Sequence, residues 1–155
     1  MQPSDAPTLR RSFLQLTPEE VRMRFMHPIK ELTPQHASKL ATIDPEREFA
    51  LVLVEAKPPD EALIGAVVRV AVDNDGQQAE FAIIVGGDLK RQQLGRYLLT
   101  RAIEWARKRG IAVLYGLVLD NNEAMLGLAR SLGFTRHPSR DGSGVVEVRK
   151  RLNPR

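Results

Sequence analysis

The residues with the clearest chemical potential lie between Glu80 and Arg96. The Glu80 carboxylate precedes an apolar run that ends in Gly86-Gly87-Asp88, and a basic, polar turn over residues 90–96 follows. A helix-patterned run then begins at Tyr97, so the turn presents free backbone N–H groups at a helix N-terminus, where the helix dipole also favours anions. This order predicts a phosphate-binding turn beside a lone carboxylate. It therefore indicates transfer of a group from a phosphate-bearing cofactor.

The composition is that of an ordinary globular chain with a basic balance. The 155 residues are 43% hydrophobic and 27% charged, which fits one domain that can bury a core. The net charge of +4 is compatible with nucleic acid and also with a polyphosphate cofactor. Because aromatic residues make up only 5% of the chain, a base-stacking platform is not expected. We therefore predict no nucleic-acid partner.

Several other classes of protein are excluded by missing residues. The sequence has no cysteine, which excludes a disulfide framework, a thiolate metal site and a cysteine nucleophile. The histidines have no metal-ligand spacing, so no metal is expected. No apolar run approaches the roughly 20 residues of a membrane helix, and the N-terminus has no signal-peptide pattern. We expect a cytoplasmic protein without a membrane partner, whose oligomeric state the sequence does not indicate.

The first half of the chain is expected to hold two helices and four strands. Residues 1–9 are polar and predict a flexible arm, and residues 12–16 alternate as in a short strand. Thr17 and Thr33, each followed by proline, predict the starts of two helices. Three apolar strands joined by short turns then predict an antiparallel meander; they cover residues 48–55, 63–72 and 78–85.

The second half alternates between helices and strands. Apolar residues at helical spacing predict a helix that ends at Gly110, and an apolar strand over 111–119 follows. Asn122 begins a second helix that ends at Gly133, and two final strands close the chain. The predicted fold class is α/β (a mixed α+β sheet) in the order β-α-α-β-β-β-α-β-α-β-β.

The motifs on these elements resemble those of the GNAT acetyltransferase family. Its cofactor motif, Q/R-x-x-G-x-G/A, aligns with residues 90–95. Its later motif, an asparagine that opens a helix ending in Gly-Phe, aligns with Asn122 through Gly133-Phe134. The phrases Ala79-Glu80-Phe81-Ala82 and Met125-Leu126-Gly127-Leu128-Ala129 are similar to the acetyltransferase domain of bacterial protein lysine acetyltransferases, which modify acyl-CoA synthetases.

That domain often follows a large acyl-CoA-synthetase-like region. Residues 10–155 are therefore expected to be a single GNAT domain, either a stand-alone version or an excised one.

The sequence departs from the family pattern at two places. Lys90 and Gln93 replace the leading Gln/Arg and the first glycine of the cofactor motif, and Gln93 adds a side chain where the backbone normally approaches the pyrophosphate. Ala129 stands where many members carry a tyrosine acid, as in the protein-lysine subgroup, and a thiol of pKa ~8.5 leaves readily without one.

The resemblance implies acetyl-CoA as the cofactor and names the residues that bind it. The backbone of Ile83, Ile84 and Val85 is implied to bind the pantetheine arm, with one N–H polarising the thioester carbonyl. The turn is implied to hold the pyrophosphate through Lys90, Arg91, Gln92, Gln93, Leu94, Gly95 and Arg96. Asn122 and Met125 are further candidates on the late helix, although capping alone explains Asn122.

Acetyl transfer to an amine requires a base, because a lysine ammonium has a pKa of about 10.4. Glu80 is the candidate, acting directly or through a water, since apolar neighbours favour an elevated carboxyl pKa. A solvated carboxylate or an ion pair with an arginine is the alternative role for Glu80. Asp44 and Glu48 lie near the region that receives the acceptor in relatives, and acidic groups there attract a cationic lysine.

The sequence therefore predicts an acetyl-CoA-dependent N-acetyltransferase. Direct attack in a ternary complex is expected because no cysteine exists to carry the acyl group. The predicted acceptor is a protein lysine, such as one on an acyl-CoA synthetase. Three alternatives stay open: an enzyme for a small-molecule amine, a non-catalytic module that senses acyl-CoA, and a nucleic-acid binder with strongly salt-dependent affinity.

Overall fold

Four helices and six strands make up the described part of the chain. A computed structural model describes residues 6–13, 33–54, 64–85, 92–138 and 144–152. In chain order the elements are α1 (Ala6–Phe13), α2 (Pro34–Ala41), β1 (Glu48–Val54), β2 (Ile64–Val72), β3 (Gln78–Val85), α3 (Gln92–Lys108), β4 (Val113–Leu119), α4 (Glu123–Ser131), β5 (Thr135–Pro138) and β6 (Val145–Arg151).

The strands form one mixed sheet in the order β1-β2-β3-β4-β6-β5. The predicted meander is confirmed, because β1, β2 and β3 pair antiparallel in sequence. The strand β4 runs parallel to β3, and β6 lies antiparallel between β4 and β5. The connection from β3 through α3 to β4 therefore crosses over one face of the sheet. The predicted mixed α/β class is confirmed.

The N-terminal prediction is wrong where the structure describes it. Residues 6–9, predicted as part of a flexible arm, and residues 12–13, predicted as a strand, lie in α1. Leu9 and Phe13 are one helical turn apart and share a face. That face packs against Ala37 and Leu40 of α2, so tertiary packing overrides the local alternation of apolar residues. Residues 14–16 and the helix predicted from Thr17 lie outside the described residues.

The start of α2, the turn between β2 and β3 and the C-terminal end of α3 agree with the sequence predictions. The helix α2 begins after Thr33, whose carbonyl accepts a hydrogen bond from the Ala37 N–H at 2.9 Å. In the β2–β3 hairpin, Gly76 has φ +70°, and Gly110 ends α3 with φ +73°. Both angles lie in the left-handed region that glycine adopts without strain.

The main core lies between one face of the sheet and the helices α3 and α4. Its largest fully buried side chains include Val68 and Val70 of β2, Leu98 and Leu99 of α3, and Leu114 of β4. Burial of one such leucine side chain contributes about 2 kcal/mol. The opposite face of the sheet carries polar residues on its central strands, together with the buried Ala50 and Val67 of β1 and β2. No helix in the described ranges is long and apolar enough to cross a membrane.

Candidate active site

The two central strands of the sheet diverge halfway along β3. Pairing between β3 and β4 runs from Gln78 and Val113 to Phe81 and Gly116 and ends there. The strand β3 stays paired with β2 as far as Val85, and β4 stays paired with β6 to its end. Within these described strands, the backbone groups of residues 82–85 that face β4 therefore have no strand partner. They are donors and acceptors that a ligand can use.

A close contact marks the point of divergence. The Phe81 ring lies against Gly116, where an added Cβ would overlap the ring carbons. The same ring packs edge-on against Phe134, with ring centroids 5.5 Å apart. The ring thus occupies the space that a side chain at residue 116 would need. We name the region beyond this contact, between residues 82–85 and residues 117–119, the β3–β4 opening.

The N-terminus of α3 starts earlier than the sequence predicts. The structure places Gln92, Gln93, Leu94, Gly95 and Arg96 in the first turns of the helix, so the expected turn over residues 90–96 is wrong for that part. Lys90 and Arg91 lie outside the described residues, as do the side chains of Gln92 and Gln93. The free N–H groups of the helix N-terminus therefore begin at Gln92.

Packing against α4 explains why these residues are helical. Gly95 is buried, and a Cβ built there would lie 3.0 Å from Leu128 Cδ2. The glycine therefore permits the close approach of α3 and α4. Arg96 is exposed and reaches α4 as well, since its Nη2 donates to Ser131 Oγ at 2.9 Å. These contacts fix the first turns of α3 on α4.

Asn122 serves as the N-cap of α4. Its Oδ1 accepts a hydrogen bond from the Met125 N–H at 3.2 Å, which satisfies one of the free donors at the helix start. The Met125 side chain is half-buried and packs against the main core. Capping is thus confirmed for Asn122, and contact of either residue with a pantetheine arm stays a prediction.

Glu80 lies on the face of the sheet opposite the main core. Its chain neighbours Ala79 and Phe81 are buried in the core, so alternation directs Glu80 to the other side. Strand register aligns it with side chains of four other strands. We name this row the Glu80 row: Glu48, Ala71, Glu80, Tyr115 and Arg149. The Glu80 side chain is half-buried, one residue before the pairing of β3 and β4 ends.

Tyr115 is the central side chain of a polar network beside Glu80. Its hydroxyl donates to the Asp73 carboxylate, 3.1 Å from each oxygen. Burial raises the pKa of Tyr115 well above its ordinary value; the Asp73 hydrogen bond and the charges of Glu80, Asp73 and Glu147 raise it further. The phenol therefore stays protonated and remains a hydrogen-bond donor.

Arg149 extends this network along β6. Its guanidinium lies over the Tyr115 ring, 5.8 Å from the centroid, and donates to Glu147 Oε2 at 2.6 Å. It also donates to Gln78 Oε1 at 3.1 Å. Sequence reasoning missed this network, because only the parallel register of β3 and β4 places Tyr115 next to Glu80. Among the described residues, no group of three His, Cys, Asp or Glu side chains is arranged to hold a metal ion.

Asp44 and Glu48 take part in a local turn before and at the start of β1. The Asp44 N–H donates to Glu48 Oε1 at 2.9 Å, and Asp44 Oδ1 accepts from the Glu46 N–H at 3.1 Å. Register places Glu48 two strands from Glu80, a distance of about 10 Å across the sheet. The carboxylates of both residues therefore accept hydrogen bonds from backbone N–H groups of the turn, and their contact with an acceptor stays a prediction.

Comparison with known proteins agrees with this geometry. The model of the Acetyltransferase (GNAT) family matches residues 11–134. An acetyltransferase of Pseudomonas aeruginosa is 28% identical over 131 residues, which cover 84% of this chain and 70% of that protein. The [ribosomal protein bS18]-alanine N-acetyltransferase of Escherichia coli is 37% identical over 84 residues, 50% of this chain and 55% of that enzyme.

A similar fold is found among solved structures. The GNAT domain of S. lividans PAT superposes with a TM-score of 0.85 at 23% identity, covering 97% of this chain and 87% of that one. GNAT acetyltransferases use acetyl-CoA as the donor. The family match spans most of the described core and both strands of the β3–β4 opening, and on that ground the chain belongs to the GNAT acetyltransferase family.

Proposed function

We propose that this acetyltransferase modifies a protein lysine side chain and that Glu80 is the general base. One observation carries the proposal: the Glu80 carboxylate is half-buried beside the β3–β4 opening, one residue before the strands separate. A base must lie within hydrogen-bond reach of the amine proton, directly or through one water. Because Glu80 lies at the edge of the opening, an amine that approaches the donor from the exposed face would come within that reach.

The described residues fit the donor. The unpaired backbone groups of residues 82–85 would pair with the amide groups of the pantetheine arm, and the free N–H groups at the start of α3 would hold the pyrophosphate. When bound, acetyl-CoA supplies the acetyl thioester and a thiolate that leaves readily. The chain itself orients the two reactants and accepts the amine proton, with no covalent intermediate on the protein.

The charge beside Glu80 favours a cationic acceptor. The carboxylates of Asp73, Glu80 and Glu147 all act on the Tyr115 hydroxyl, and Glu48 lies on the same face. The facing cations are Arg149, which is paired with Glu147, and Arg69 of β2. A surplus of negative charge at the mouth of a site attracts an ammonium group and steers its approach. The acceptor is then deprotonated at Glu80.

The exposure of the same face favours a protein over a small molecule. Ala71, which neighbours Glu80 in the Glu80 row, is exposed, and the Leu117 side chain at the opening is 42% exposed. These two exposed positions beside Glu80 and the opening leave access for an extended segment of polypeptide, whereas a small amine is usually enclosed in a pocket. The narrower resemblance of the sequence favours a lysine of an acyl-CoA synthetase as the first acceptor to test.

A second candidate is a protein N-terminal amine. The Escherichia coli relative, 37% identical over 84 residues, is named for an alanine of ribosomal protein bS18. An α-amino group has a pKa of about 8, so it demands less of a base than a lysine does. The two candidates differ in acceptor only, and a choice of peptides separates them.

The test compares three acceptors in one acetylation assay. They are a lysine peptide with a blocked N-terminus, a lysine-free peptide that begins with alanine, and a polyamine. We expect the lysine peptide to give the highest kcat/KM. A higher value for the alanine peptide would favour the second candidate, and a higher value for the polyamine would contradict a protein acceptor.

Glu80→Gln tests the base in the same assay. We expect wild-type affinity for acetyl-CoA by calorimetry and a loss of about 100-fold or more in kcat/KM, which is the usual contribution of a general base. Glu104→Gln is the matched control, because Glu104 is exposed on α3. Full activity of Glu80→Gln would rule out Glu80 as the base.

A further inference from the structure

The Tyr115 side chain crosses β3 beside Glu80. Tyr115 belongs to β4, and its hydroxyl bonds to Asp73, which follows β2 on the far side of β3. The Asp73 N–H bonds to the Gln78 carbonyl at 2.8 Å, so Asp73 stands opposite Gln78 as Ala71 stands opposite Glu80. To join these positions the phenol must pass over β3 between the Gln78 and Glu80 side chains.

The same register places the Asp73 carboxylate near that of Glu80. Asp73 and Glu80 are diagonal neighbours across the antiparallel β2–β3 pair, a separation of about 7–8 Å. The backbone of Asp73 is fixed as well, because Arg47 Nη2 donates a hydrogen bond to its carbonyl oxygen at 2.7 Å. The hydroxyl of Tyr115 thus fixes the direction of a carboxylate whose backbone is already anchored.

We propose that Tyr115 is a positioning residue for acetyl transfer, acting through Glu80: its ring walls one side of the Glu80 carboxylate and its hydroxyl anchors the Asp73 charge beside it. The proposal rests on the proposed role of Glu80 as the base. The phenol ring and Asp73 lie on the Gln78 side of Glu80, and the β3–β4 opening begins on its other side. Loss of the hydroxyl separates the ring from Asp73, so that neither the ring nor the Asp73 carboxylate is held in place beside Glu80.

The charged groups that face this cluster are known from the elements around it. Glu147 and Arg149 face it from β6, and Arg69 and Glu48 lie on the same face on β2 and β1. Arg149 is already paired with Glu147. Asp73 is therefore the nearby charge that a single polar substitution removes without breaking an ion pair.

Two variants separate the parts of the proposal. Tyr115→Phe keeps the ring and removes the hydroxyl, and Asp73→Asn keeps an acceptor for the hydroxyl and removes the charge. Removal of a neighbouring negative charge lets a carboxyl group lose its proton at lower pH. In both variants we expect the acid limb of the kcat/KM profile for a lysine peptide to move to lower pH.

The size of the effect distinguishes the variants. Tyr115→Phe should also lower kcat at the pH optimum by about tenfold, because a misplaced base costs rate even when its charge is correct. Asp73→Asn should lower it less. Both should bind acetyl-CoA with wild-type affinity by calorimetry, since neither residue lies at the β3–β4 opening or the start of α3.

Tyr97→Phe is the matched control. Tyr97 is 46% exposed on α3, and its hydroxyl also has one side-chain partner, Arg101 Nη1 at 2.9 Å. Its pH profile of kcat/KM should coincide with that of the wild type.

The outcomes separate the two proposals. If the pH profiles of Tyr115→Phe and Asp73→Asn coincide with that of the wild type while Glu80→Gln is inactive, only the proposed role of Tyr115 is overturned. If Glu80→Gln stays active, the proposed role of Glu80 as the base fails, and the role of Tyr115 fails with it. Should Tyr115→Phe not fold, the Asp73→Asn profile decides.

Discussion

Glu80 of β3 and Tyr115 of β4 are neighbours across the parallel strand pair, and the proposed role of each depends on the other. The carboxylate is visible in the sequence because it precedes an apolar strand next to a glycine-rich turn. The sequence does not distinguish Tyr115 from the other residues of a buried strand, because the residues before and after it in Val113–Leu119 are apolar. Its relation to Glu80 depends on the parallel register between β3 and β4, which involves residues far apart in the chain. Local pattern predicts the base, and pairing across the sheet supplies its neighbour.

The alkaline stability of the protein should report on Tyr115. Burial and nearby carboxylates raise the pKa of the native tyrosine above that of the unfolded chain. In the native state the Tyr115 phenol therefore keeps its proton at pH values above about 10, where the phenol of the unfolded chain loses its proton. The free energy of unfolding is unaffected by this difference below about pH 10 and decreases as the pH rises above it. We expect the free energy of unfolding in urea to fall between pH 9 and 11 more steeply for wild type than for Tyr115→Phe. Equal slopes would contradict the shift.

Gly116 should be intolerant of even the smallest side chain. Gly116→Ala places a methyl group inside the volume of the Phe81 ring, which is held in turn by Phe134. Overpacking of this kind costs about 1–3 kcal/mol of stability. The measurement is urea unfolding, with Gly127→Ala as control because no atom lies within 4 Å of a Cβ there. That control should be neutral or stabilising, as alanine is preferred to glycine inside a helix. A stability of Gly116→Ala equal to wild type would contradict the close contact.

At the level of elements, the start of α3 is placed by α4 rather than by its own sequence. The sequence motif predicts a turn up to residue 96, but Gly95 lies within the helix and against Leu128. The predicted N-terminal strand is wrong for the same kind of reason, because Phe13 packs against Ala37 as part of a helix. Strands β1, β2, β3 and β4 are predicted within two residues at each end, because their apolar runs and turn residues are local signals. Elements whose position depends on a partner helix are the ones that sequence patterns miss.

The contact between Gly95 and Leu128 should be measurable as a coupling energy. Gly95→Ala brings a methyl group to 3.0 Å from Leu128 Cδ2, so the first turn of α3 must move away from α4 by a few tenths of an ångström unless the Leu128 side chain turns aside. We expect weaker acetyl-CoA binding by calorimetry, by about tenfold, because that turn carries the free N–H groups. Leu128→Ala makes room, so Gly95→Ala should have a smaller effect on affinity in that background. Additive effects of the two substitutions would mean that the helices do not meet at this point.

For the whole molecule, the distribution of charge matters more than its sum. The chain carries a net charge of +4, yet the carboxylates of Asp73, Glu80 and Glu147 gather around Tyr115. A basic protein with an acidic acceptor face should prefer peptides whose lysine is flanked by further lysines over peptides with flanking aspartates. The preference in kcat/KM should shrink as ionic strength rises from about 0.05 to 0.5 M, since the Debye length falls over that range. The donor gives an internal reference, because acetyl-CoA is an anion and its affinity should weaken with salt whichever peptide is used. A preference for aspartate-flanked lysines at low salt would show that the acceptor does not approach across the Glu80 row, and would redirect the search to acidic or uncharged segments of its protein partner.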